Sequence, residues 1–188
     1  MKSEIELKVE PTPNPDSLKF MTGETLLATG SRDYASKPST GESPLASVLF
    51  EIPGVLGIFI TQDFVTVSKD PAQSWDELVP ILSDQITLFL RSGQPAVTAG
   101  PTTGPTPSPS TENTEVEEKI RTILDNEIRP AVAMDGGDVV FYSYENGIVK
   151  LHLQGACSSC PSSIMTLKAG VENRLKMEIP EIKEVVQI

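Results

Sequence analysis

The sequence predicts an α+β protein, built as two small mixed domains joined by a flexible Pro/Thr-rich linker. Three observations lead there. The chain has 188 residues, enough for two small domains. Its composition breaks sharply between Pro95 and Asn113, where Pro101, Pro105, Pro107 and Pro109 stand among Thr, Ser and Gly with no large apolar residue after Val97. Such a stretch cannot bury enough surface to offset its ordering entropy, and it favours an extended, mobile form. On either side, short segments of period two alternate with longer ones of period 3.6. The expected division is therefore residues 1–94, a linker 95–113, and residues 114–188.

In the first part, Glu4–Val9 alternates as an edge strand does, Pro11–Pro15 is a rigid turn, and Leu18–Phe20 is a short return strand. Ser43-Pro44 opens a helix, with proline at the first position and Leu45, Leu49 and Phe50 on one face. Val55–Ile60 and Phe64–Ser68 form a hairpin around Thr61–Asp63. Trp75, Leu78, Leu82, Ile86 and Phe89 then recur at helical spacing; Pro80 must start that helix proper or kink it.

The second part reads α-β-β-α-β. Val116, Ile120, Ile123, Leu124 and Ile128 line one helix face, with Thr114 as its cap and Glu117 three residues on. Val139–Tyr144 and Ile148–Leu153 pair as a hairpin around Asn146-Gly147. Gly155–Cys160 is a loop, and Pro161 starts a helix with Ile164, Leu167, Val171 and Leu175 facing inward. Ile182–Ile188 is the last strand. Glu51-Ile-Pro-Gly-Val and Glu178-Ile-Pro-Glu-Ile mark similar helix-to-strand corners.

Charge removes one class of function. Fifteen Lys and Arg against 26 Asp and Glu leave a net charge of −11, with no concentrated basic face for a nucleic acid. No apolar run approaches the roughly 20 residues of a membrane span. The N-terminus has neither a signal core nor a transit pattern. The expected location is a reducing one: a bacterial cytoplasm, or an organellar matrix if the chain is a processed form.

Chemistry concentrates in Gly155-Ala-Cys157-Ser-Ser-Cys160-Pro-Ser-Ser. A two-residue gap lets two thiolates converge on one soft metal centre. With Pro161 at the first helical position, Cys160 becomes the cap, and the helix's positive end favours anionic sulfur. Ser158, Ser159, Ser162 and Ser163 keep the surroundings polar, and the expected site is shallow and accessible. A metal–sulfur or zinc site wants four ligands, whereas the chain holds two cysteines and one histidine. The remainder would come from a second copy or from small thiols. Thiol–disulfide exchange and a zinc site shared by a dimer use the same pair and stay open at this point. His152 alternates onto the polar face of its strand, away from ligand duty. Around Gly136 and Gly137, the DGGD run reads as a turn or a close backbone approach, with Asp135 and Asp138 solvated. No nucleophile triad or acid–base carboxylate pair assembles, so no catalytic residue is expected.

Met134-Asp-Gly-Gly-Asp-Val139, Gly147 to Ser163 and Thr166-Leu-Lys-Ala-Gly170 together resemble the NifU C-terminal domain. Pro13-Asn-Pro-Asp-Ser-Leu-Lys-Phe20, Ser43-Pro-Leu-Ala46 and Phe64-Val-Thr-Val67 resemble the N-terminal domain of Nfu-type iron–sulfur scaffold proteins. The resemblance covers roughly residues 4–95 and 113–188. It implies a carrier, not an enzyme, that holds a [4Fe–4S] cluster between two protomers. Cys157 and Cys160 would be the ligands, upstream assembly factors the donors, and apo iron–sulfur proteins the recipients. The N-terminal domain would serve partner recognition. The linker looks long and proline-rich for the family.

Overall fold

A computed structural model describes residues 5, 7–39, 41–98, 114–158 and 161–188. They form two compact units, divided between Thr103 and Gly104. The fold class is α+β as expected: each unit mixes helices with one sheet.

The first unit is an antiparallel sheet of five strands: β1 (Lys8–Pro11), β2 (Ser17–Met21), β3 (Arg32–Tyr34), β4 (Val55–Ile60) and β5 (Phe64–Lys69), in the order β1-β2-β5-β4-β3. Alternation along β5 sends Val65 and Val67 into the core with Phe20, Ile58 and Ile60. Helices α1 (Pro44–Leu49) and α2 (Trp75–Ser92) close that core with Leu45, Leu49, Leu82 and Ile86. Helix α2 starts ahead of Pro80 because Ser74 accepts the Asp76 N–H and caps it; the proline lies inside the helix on its exposed side. Strand β3 has no sequence signature, since its three residues Arg-Asp-Tyr show no apolar alternation. It exists through pairing with β4.

The linker boundary needs correction. Pro95–Thr98 fold onto the first unit rather than leaving it. The buried Ser43 hydroxyl donates to the Ala96 carbonyl (2.8 Å), the Leu45 N–H reaches the same oxygen, and Ala96 itself is buried. Small residues read as linker by composition can still be core when a buried donor awaits them. Residues 99–113 lie outside the described residues.

The second unit begins with α3 (Thr114–Ile123), passes through one π-helical turn (Leu124–Ile128) and continues as α4 (Arg129–Met134). The wide turn has a local cause. Pro130 offers no N–H and its ring crowds the preceding turn, so the helix dilates just ahead of it. The Thr114 side chain lies outside the described residues. Strands β6 (Gly137–Glu145) and β7 (Ile148–Gly155) pair antiparallel across Asn146-Gly147, whose φ values of 53° and 84° make the left-handed two-residue turn that Asn-Gly predicts. Helix α5 (Pro161–Glu178) then leads to β8 (Glu184–Gln187), which lies parallel to β7. Leu124, Val139, Val149, Leu151, Leu175 and Val185 are central to the core.

The two Glu-Ile-Pro corners are built alike. Val55 N–H bonds the Ile52 carbonyl (3.2 Å) and Ile182 N–H bonds that of Ile179 (3.1 Å), each across a Pro-containing turn with the isoleucine buried. Proline presets φ for such a turn and the isoleucine anchors it.

Candidate metal centre

The end of β7 and the start of β6 meet at two glycines. Gly155 pairs with Gly137 across the ladder and has φ 67°, a left-handed conformation that turns the chain out of the sheet. Its carbonyl accepts the Ser158 N–H (3.1 Å) and hydroxyl (2.8 Å), which closes a tight turn around Ala156 and Cys157. The Ala156 N–H is tied back to the Gly136 carbonyl (3.2 Å). Helix α5 begins at Pro161, where the sequence places it. Cys160 and Ser159, with the side chains of Ser162 and Ser163, lie outside the described residues.

Cys157 departs from the expected accessible site. It is 3% exposed and belongs to the core of the second unit. The reason is the neighbouring glycine. A Cβ on Gly137 would stand 2.8 Å from Cys157 Sγ and 2.6 Å from the Gln154 carbonyl oxygen. The sulfur therefore fills space that only a glycine leaves. Close backbone approach is thus the role of Gly137, while φ 79° at Gly136 makes the turn.

Asp138 also departs from its expected solvated state. It is buried, and its carboxylate accepts both arms of the Arg129 fork, Nε to Oδ1 and Nη2 to Oδ2, each at 2.8 Å. Oδ1 takes the Val139 N–H as well (2.8 Å). Arg129 Nη1 reaches Asp125 (3.0 Å), and this paired environment raises the guanidinium pKa above its already high value, chiefly through the Asp138 bond. The bidentate geometry fixes the first residue after the glycine pair with two parallel bonds. Sequence reasoning missed this pair, because a nine-residue separation across a turn matches no helix or strand spacing. Arg129 becomes legible only once the wide turn before Pro130 is known.

His152 lies half-buried on the open face of β7, with Ile148 and Lys150 as alternation predicts. Its Nδ1 sits 3.2 Å from the Ile188 carbonyl oxygen. Among the described residues, no three His, Cys, Asp or Glu side chains gather as a metal site. The same residues contain no helix long and apolar enough to cross a membrane.

Residues 7–93 match the family model for the scaffold protein Nfu/NifU N terminal, and residues 120–186 match the NifU-like domain. The mitochondrial NFU1 iron-sulfur cluster scaffold homolog of Homo sapiens is 44% identical over 183 residues, covering 97% of this chain and 71% of that protein. The chain belongs to the Nfu-type iron–sulfur cluster scaffold family. The Drosophila ananassae homolog of the same name is 44% identical over 187 residues, and the chain spans 64% of its length. A solution NMR structure of a NifU-like protein from Saccharomyces cerevisiae shares 32% identity, with a TM-score of 0.46 over 53% of this chain and 92% of that one. In this Nfu-type chain, the Gly155–Ser158 turn and the DGGD turn are therefore parts of a NifU-like domain.

Proposed function

We propose that this chain carries a [4Fe–4S] cluster bridged between two copies and delivers it to apo iron–sulfur proteins. The observation behind the reading is the donor set. Cys157 and Cys160 are the chain's two cysteines, they lie three positions apart in the stretch of sequence between β7 and α5, and the described residues gather no group of three ligand side chains. Two protomers supply four thiolates, the number a [4Fe–4S] cluster takes. A zinc ion would accept the same four sulfurs. Family membership favours the iron–sulfur cargo.

Transfer proceeds by ligand exchange. A recipient thiolate bonds to one iron, the Cys157 or Cys160 sulfur leaves that iron as thiolate, and repetition moves the cluster without net oxidation or reduction. No bond in an organic substrate breaks, so the role is carriage rather than catalysis. The first unit serves recognition of donors or recipients. The mitochondrial names of the relatives favour an organellar matrix over a bacterial cytoplasm as the setting.

The test is anaerobic reconstitution with iron and sulfide, read by iron and sulfide content, Mössbauer spectra and mass in solution. The expected result is about two irons and two sulfides per chain in a dimer. Cys160→Ser should abolish stable loading. Cys157→Ser is the less clean variant, since it puts a hydroxyl into a core position and costs about 1–3 kcal/mol in its own right. A colourless, zinc-loaded dimer, or full cluster content in Cys160→Ser, would overturn the proposal.

A further inference from the structure

A sulfur that bonds iron shared with a second chain must face outward, yet Cys157 is 3% exposed and its Sγ lies against the Gly137 backbone. We propose that the Arg129–Asp138 ion pair is a positioning device, which holds the Gly136–Gly137 backbone as a seat for the Cys157 sulfur and sets how often that sulfur is presented. The inference rests on the reading that Cys157 is a cluster ligand, but its test does not need the cluster.

The connections are short. Asp138 is the residue after Gly137, and both Arg129 bonds to its carboxylate are 2.8 Å long. Gly136 holds Ala156, the residue before Cys157, through its carbonyl oxygen. Gly137 and Asp138 pair in register with Gly155 and Gln154, the two residues that lead into the cysteine turn. Shifting the start of β6 thus moves together the Gly137 backbone that lies against the sulfur and the Gly136 carbonyl that holds Ala156. Arg129 is anchored a second time by Asp125, within the wide turn ahead of Pro130. The helix dilation aims the guanidinium while β6 receives it. Presentation of Cys157 is then a local opening of the Gly155–Ser158 turn, governed by how firmly the seat is held.

The experiment is thiol labelling of the full chain carrying Cys160→Ser, so that iodoacetamide reports Cys157 alone by mass. The expected native rate is at least about tenfold below that of the same thiol in urea-unfolded chain. Arg129→Gln should raise the native rate about threefold or more, with Arg129→Lys between, since lysine keeps the charge without the fork. Val185→Ala loosens the same core away from the seat and should leave the native rate unchanged. Native labelling at the unfolded rate would overturn the proposal, as would an Arg129→Gln rate equal to that of the parent. An equal acceleration by Val185→Ala would reduce the pair to general stability and overturn it too. Slow, Arg129-dependent labelling in a protein that never loads a cluster would leave the seat standing and sink the carrier reading. Rapid labelling in a protein that does load would do the reverse.

Discussion

Replacing Gly137 by alanine and Gly170 by alanine makes the same chemical change twice in one unit, with opposite expected signs. At Gly137 the new methyl carbon would lie 2.6 Å from the Gln154 carbonyl oxygen, 2.8 Å from Cys157 Sγ and 3.2 Å from its Cβ. Ordinary contact starts at 3.4 Å, so the β6–β7 ladder must part by about 0.8 Å where Gly137 faces Gly155. Overpacking of this kind costs about 1–3 kcal/mol, and the reduced entropy of the unfolded alanine chain returns about 0.4–1 of that. Taking the middle of each range, a net loss of about 1.3 kcal/mol lowers the melting temperature of a unit this size by roughly 5–10 °C. Gly170 sits inside α5 with nothing within 4 Å of a built Cβ. There the helix propensity of alanine adds about 1 kcal/mol of stability. Hydrogen exchange read by mass spectrometry on the full chain assigns the change to the second unit. Trp75, the chain's single tryptophan and a first-unit residue, should show an unmoved fluorescence transition in both variants. Gly137→Ala as stable as the parent would refute the view that Cys157 is packed against that backbone. A destabilised Gly170→Ala would mean that the α5 surface is not open space.

Two further outcomes follow from hydrogen bonds. Ser43 is buried, caps the Ala46 N–H (3.2 Å) and donates to Ala96, so Ser43→Ala should cost the first unit about 1–2 kcal/mol in urea melts followed by Trp75 fluorescence, while the second unit's exchange is unchanged. In the second unit, the Lys176 ammonium foremost, then the Val185 N–H, hold the Glu172 carboxyl below its ordinary value of 4.5. A depressed carboxylate contributes stability that is complete above the unfolded value and lost as pH falls through the folded one. The second unit's urea midpoint should therefore drop between about pH 5 and pH 3, and less so in Glu172→Gln. Equal acid sensitivity in both chains would remove Glu172 from the account.

Much of the strand and helix order of this chain was legible because most elements carry their own period. Strand β7 alternates from Ile148 to Leu153 as written, and the Asn146-Gly147 turn needs no partner beyond the next residue to be recognised. The Ser43-Pro44 helix start is equally local, as is the α5 start at Pro161. Strand β3 was not legible, since three residues without alternation become a strand only when β4 offers its edge. Composition places Ala96 in the linker because burial by a distant hydroxyl leaves no mark in composition.

The candidate centre divides in the same way. Spacing alone points to Cys157 and Cys160 as residues able to share a soft metal, since two intervening residues suffice for convergence. Which way Cys157 faces was decided by tertiary structure. Its burial depends on a glycine twenty positions earlier, and the residue after that glycine is held by an arginine nine positions before it. A sequence records bonding capacity at each position. Space and approach arise only when strands β6 and β7 are laid side by side, and they decide whether a thiol is a ready ligand or one held in reserve.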